Sequence, residues 1–165
     1  MLKLAELNAL ERDKFTSALA GVFEYSPWIA AKTADARPFT SLDDLHAALC
    51  RAVLTAGDAE KLTLIRAHPD LASQRALTDE SRREQSSAGL TQLSAGDAEQ
   101  FRKLNARYRE RFGFPFIICA RMATKDAMLD AMAIRLQNSK SQEMDTALGE
   151  IFKIARLRLE DMVKS

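Results

Sequence analysis

Two cysteines and two histidines are all the thiol and imidazole metal ligands that 165 residues carry. Cys50 and Cys119 lie far apart and lack C-x-x-C spacing, so neither a disulfide framework nor a zinc cluster is written here, and both are expected to be reduced packing residues. With His46 and His68 alone, and with no H-E-x-x-H or calcium-loop spacing, a typical transition-metal site is excluded. Glycines are few, and none falls in a G-x-x-x-x-G-K or G-x-G-x-x-G pattern that would cradle the phosphates of a nucleotide cofactor. The expectation is therefore no metal and no cradle for a nucleotide cofactor. Charge of one sign is lacking too. Twenty-four basic and twenty-three acidic side chains are interspersed, which leaves no electrostatic footprint for nucleic acid. The longest apolar run, 114–120, is far below the ~20 residues needed to cross a bilayer, so no membrane span is expected. Residues 1–6 lack the apolar stretch and small-residue cleavage site of a secretory signal, and 162–165 is not the S-K-L address, which points to the cytoplasm.

What is present is helical period. A hydrophobic fraction of 47% beside 28% charge fits a folded globular chain rather than a disordered one, and the length suits one core, hence a single domain spanning 1–165. Leu10, Phe15, Leu19 and Phe23 recur about once per turn up to Pro27 and predict a first helix. Ser41 with Asp44 three residues on predicts a capped helix that Gly57 closes, and Asp58 is placed to cap the next. That helix leads through Leu62, Leu64, Ile65 and Ala67 to His68, where Pro69 stops it. Further helices are predicted from Thr78 or Asp79 to about residue 88, over 95–112 with Gly113 as the left-handed stop, over 125–136 and over 141–163. Between 95–112 and 125–136, the segment 114–120 loses the period, and its aromatic and β-branched content predicts an extended buried link. The predicted architecture is an all-α bundle of seven to eight helices with no required sheet.

Three positions carry chemistry. His68 is a titratable ring at a corner whose backbone the following proline biases out of the helical region, and histidine ordinarily titrates near neutrality. Ser81, Glu84, Gln85 and Ala88 share one helix face by i, i+3, i+4, i+7 spacing, a polar stripe that is either solvated or turned into a site. Arg158 falls on the apolar stripe of the last helix with Ile151, Ile154 and Ala155, and a guanidinium there requires an anionic partner. That partner is either a protein carboxylate, Glu84 being one candidate, or a ligand. A proton carrier, an orienting acid and a cation suit metal-free acid/base work on a small anion.

Read together, the segments resemble the 2-oxo-4-hydroxy-4-carboxy-5-ureidoimidazoline (OHCU) decarboxylase family of urate catabolism. The resemblance rests on Phe23-Glu24-Tyr25-Ser26-Pro27-Trp28, on His68-Pro69-Asp70-Leu71, on Ser81 to Gln85 followed by Ala88-Gly89-Leu90, and on Phe101-x-x-Leu104-Asn105-x-x-Tyr108. It continues through Arg111-Phe112-Gly113-Phe114-Pro115-Phe116 and Glu150-x-x-x-Ile154-x-x-x-Arg158-Leu159. No single segment is specific, but their order along the whole chain is. The resemblance implies an all-helical, cofactor-independent lyase, often a homodimer, that removes CO2 from OHCU and yields (S)-allantoin. Carried over residue by residue, the catalytic histidine falls on His68, with Glu84 and Arg158 beside it. Substrate-contacting positions fall on Pro69, on Ser81, Arg82, Arg83, Glu84 and Gln85, on Phe116, Ile117, Ile118, Cys119 and Ala120, and on Arg158. Tyr25 replaces a histidine frequent in relatives, and the link from Leu71 to Thr78 is shorter than in some. Two other readings stand beside this one: a non-catalytic helical module that presents the 81–85 face and the 114–120 link to a partner, and a lyase for a related ureido or imidazoline acid.

Overall fold

The computed structural model describes residues 1–73 and 77–165; residues 74–76, within the link from Leu71 to Thr78, lie outside the described residues. Among the described residues nine α-helices occur: α1 (Leu4–Ala9), α2 (Arg12–Ala18), α3 (Trp28–Thr33), α4 (Leu42–Leu54), α5 (Asp58–Arg66), α6 (Asp79–Ser87), α7 (Ala95–Phe112), α8 (Lys125–Arg135) and α9 (Lys140–Met162). Short 3₁₀ turns lie at Ala34–Ala36 and Ala120–Met122. The all-α class expected above is the class observed. One correction concerns sheet: β1 (Leu2–Lys3) pairs in parallel with β2 (Val163–Lys164), with Leu2 opposite Val163. Two residues per strand leave almost no alternation for a sequence pattern to display.

The chain divides into two compact units, Met1–Ala67 with Phe152–Ser165, and His68–Ile151. In the first, α3 packs on α2 and α4, and Phe15, Leu45, Leu49 and Val53 are buried. The Ser41 hydroxyl accepts from the Asp44 N–H, the expected cap of α4. Two expectations in this unit are corrected. The helix predicted through Phe23 ends at Ala18, and Val22 and Phe23 are buried in turns, because a buried turn can keep an apolar recurrence without its hydrogen bonds. Gly57 does not close α4, which stops at Leu54; it is the N-cap of α5, and Asp58 is that helix's first residue, an acid where the positive end of the helix dipole favours one.

The second unit is organised by α7. Ser94 caps it by accepting from the Asp97 N–H, and Gly113 ends it at φ 77°, a left-handed conformation that glycine adopts without a Cβ clash. Phe101, Leu104, Tyr108 and Phe112 form its buried stripe, and α8 packs against the same helix. The link after Gly113 is extended and largely buried, as expected. It folds Phe114 and Phe116 onto Tyr108 with ring centroids 5.9 and 5.4 Å away in edge-on geometry, the arrangement that aromatic quadrupoles favour.

Candidate active site

In the second unit His68 is 6% exposed, and Pro69 carries the chain from it into a turn over Asp70, Leu71 and Ala72. Ala72 holds φ 56°, a conformation that costs a non-glycine residue about 1–2 kcal/mol and persists only where neighbours impose it. Those neighbours are on α6 and α7. The Gln85 carboxamide accepts from the Ala72 N–H at 3.0 Å through Oε1 and donates to the Asp70 carbonyl at 3.4 Å through Nε2. Asn105 Nδ2 donates to the Leu71 carbonyl at 2.9 Å, and Arg109 Nε donates to the Asp70 carboxylate at 2.8 Å. The outer side of the turn faces a cleft of about 730 Å³ that Asp70, Ala72, Asn105 and Arg109 help to line. Packing alone does not hold this turn; directed hydrogen bonds do.

The α6 stripe is turned inward rather than solvated. Thr78 caps the helix, Ser81 and Gln85 are buried, and Glu84 and Ala88 are half-buried. Arg82 and Arg83 are on the other face: both are exposed, Arg82 against the Asp79 carboxylate and Arg83 against the Asp79 carbonyl. The inward face of α6 packs against the 3₁₀ turn Ala120–Met122, which brings Glu84 electrostatically close to Cys119. Burial pushes the Cys119 thiol above its ordinary pKa, and the carboxylates of Glu150 and, more weakly, Glu84 push it further. Glu150 also accepts from the Cys119 backbone N–H at 3.2 Å, while Arg135 donates to the Ile117 carbonyl at 2.7 Å. Phe116, Ile117, Cys119 and Ala120 are buried and Ile118 is half-buried, so both edges of this link are fixed by side chains from α8 and α9. His68, Pro69, Ser81, Glu84, Gln85 and the residues of the link all belong to this unit.

Arg158 belongs to the first unit and is 3% exposed. The carboxylate set against it is that of Glu24, whose Oε1 accepts from Nη2 at 2.9 Å, and Nη1 donates to the Gly21 carbonyl at 3.1 Å. Glu24 is itself 2% exposed. Glu24 sits in a turn where Tyr25 takes φ 46° with its ring exposed and the Ser26 hydroxyl donates back to the Glu24 carbonyl at 2.8 Å. His46, the other histidine, is committed to backbone: its Nε2 donates to the Phe152 carbonyl at 2.8 Å. Cys50, one turn further along α4, is half-buried, and burial raises its thiol to about 11. Sequence reasoning did not single out Glu24, Asn105, Arg109 or Glu150 for these contacts, although Glu24, Asn105 and Glu150 stand within the quoted motifs. No helix of the described residues is long and apolar enough to cross a membrane.

Comparison with known proteins agrees with these motifs. The family model described as OHCU decarboxylase matches residues 8–160. The 2-oxo-4-hydroxy-4-carboxy-5-ureidoimidazoline decarboxylase of Haloferax volcanii is 44% identical over 164 residues, which cover 99% of this chain and 98% of that protein. Among solved structures, a crystal structure of (S)-allantoin synthase superposes with a TM-score of 0.80 at 29% identity. That match covers all of this chain and 55% of the other, so the chain spans about half of that longer protein. A crystal structure of OHCU decarboxylase in the presence of (S)-allantoin gives 0.71 at 25% identity, covering 90% of this chain and 96% of that one.

Proposed function

The chain belongs to the OHCU decarboxylase family, and from that premise we propose that it is a carboxy-lyase that converts OHCU to (S)-allantoin and CO2 in urate degradation. The observation that carries this reading is the setting of His68: a buried imidazole at a proline-made corner, its turn held by the helix that presents Glu84 to the same unit. Loss of CO2 breaks one carbon–carbon bond, and its electron pair forms a double bond to the neighbouring ureido-bearing ring carbon as the imine pair moves onto a ring nitrogen that is protonated. The hydroxyl then gives up its proton and becomes a carbonyl while the ureido-bearing carbon takes up a proton. His68 engages the hydroxyl beside the departing carboxylate and afterwards delivers that proton to one face, which fixes the product's handedness. Glu84 orients the imidazole or the ureido group. Arg158 takes an anionic or carbonyl group through its planar fork, already oriented by Glu24. Backbone groups of 116–120, with Pro69, Ser81 and Gln85, supply the remaining contacts. Arg82 and Arg83 lie on the exposed face of α6, which gives them the weakest claim of the residues first considered.

The reading includes a single functional domain over 1–165, independence of any cofactor, a cytoplasmic setting and a homodimer. Its test is freshly generated OHCU with optical detection of the allantoin formed. Wild-type protein should accelerate decay and make the product one-handed, and His68→Gln should lower turnover by about 10²- to 10⁴-fold while the helical signal is unchanged. Racemic allantoin at the uncatalysed rate from wild-type protein would leave the helical interaction module as the better reading.

A further inference from the structure

The turn after His68 is fastened from two helices by three side chains, and the central one is Asn105. We propose that Asn105 is a positioning residue that, with Gln85 and Arg109 on either side, holds the backbone of 70–72 and thereby aims the His68 imidazole. The inference rests on the catalytic reading of His68. Asn105 is buried, its Nδ2 donates to the Leu71 carbonyl, and its Oδ1 has no hydrogen-bond partner among the described residues. A buried amide with only one end engaged is a poor device for stability, because an apolar side chain of the same size would avoid the unsatisfied oxygen. What the amide supplies is direction: a fixed point on the carbonyl three residues beyond His68. Ala72, one residue further, sits in the left-handed region, where surrounding contacts must hold it. Gln85 supplies one such contact at the Ala72 N–H, and Arg109 fixes the Asp70 carboxylate. The turn borders an open cleft, so these bonds substitute for missing packing on that side. Catalytic geometry is steep in distance, and a shift of about 1 Å in a reacting group can lower a rate about a hundredfold.

The experiment is a double-mutant cycle on OHCU turnover with Asn105→Leu, His68→Gln and their combination. Asn105→Leu should lower kcat by about ten- to a hundredfold and change KM by less than about threefold, since it disturbs aim rather than substrate contact. In the His68→Gln background the same substitution should change kcat by less than about twofold, because a residue that acts through the imidazole has nothing left to position. Hydrogen exchange of the Ala72 amide should quicken in Asn105→Leu. Should that variant not fold, Arg109→Met, whose side chain is 41% exposed, carries the same cycle with a smaller loss. Full activity of these variants, or losses that simply multiply with that of His68→Gln, overturns this inference alone. A His68→Gln protein that turns over OHCU at the wild-type rate overturns the catalytic reading, and this inference falls with it.

Discussion

Each unit of the molecule buries an arginine against a glutamate, and the two pairs are built differently. In the second unit Glu143 is fully buried and accepts from three donors: the Tyr108 hydroxyl at 2.5 Å, Arg135 Nε at 2.8 Å and Asn138 Nδ2 at 2.9 Å. Arg135 in turn donates to the Ile117 carbonyl and stacks its guanidinium 4.2 Å from the Phe116 ring centre. The Tyr108 phenol is pushed far up, first by burial and then by the hydrogen bond to Glu143, so it stays a neutral donor. This pair joins α7, α8, α9 and the 114–120 link through one polar knot inside an aromatic core. In the first unit the acid facing Arg158 comes from a turn that holds Tyr25 in a left-handed conformation. One cation is woven into a core; the other is presented from α9 by a constrained loop. Burial and charge are alike in the two cases, so neither separates a structural ion pair from a binding one. On the proposed function, the source of the partners does.

The largest effect expected from breaking this comparison is on stability. Glu143→Leu strands Arg135 in the core and deprives Tyr108 of its acceptor, and should cost about 3–5 kcal/mol in denaturant unfolding, with the folded fraction still turning over OHCU. Arg158→Met should instead lower kcat/KM by about ten- to a hundredfold, the worth of charge-assisted bonds to a ligand. Adding Glu24→Gln to it should restore stability without restoring turnover, whereas a recovered rate would make the two pairs equivalent. The smallest effect belongs to a half-buried pair of the second unit, Lys125 Nζ to Asp97 at 2.6 Å. The hydrogen bond from Lys125 holds the Asp97 carboxyl below its ordinary value of 3.8. A lowered carboxylate contributes fully above its unfolded pKa and loses that contribution as pH falls through the folded one. Wild type and Lys125→Met should therefore differ by a constant small amount above about pH 4 and converge below it, as read from urea midpoints across pH.

Legibility in the sequence depended on how local the cause was. Helix α7 is readable because its apolar stripe lies within it and Gly113 directly follows it, and α6 because Thr78 and Asp79 both suit a helix start. The loss of period after Gly113 correctly marked the extended link. Apolar recurrence misled at Leu19 and Phe23, where the period outlives the helix, and Gly57 misled because glycine serves either end of a helix. Arg158 is recognisable as a cation requiring an anion, but Glu24 lies 134 residues away in sequence, and no local rule points to it. Asn105 and Glu150 act on backbone groups of distant loops, a kind of contact that leaves no spacing signature.

The parallel pairing of Leu2–Lys3 with Val163–Lys164 has a mechanical corollary. Tension applied between Met1 and Ser165 would draw the two strands lengthwise past each other, so their hydrogen bonds would share the load in shear instead of parting one at a time. Short as it is, this clasp is oriented to resist stretching by its ends before any helix beneath it begins to uncoil.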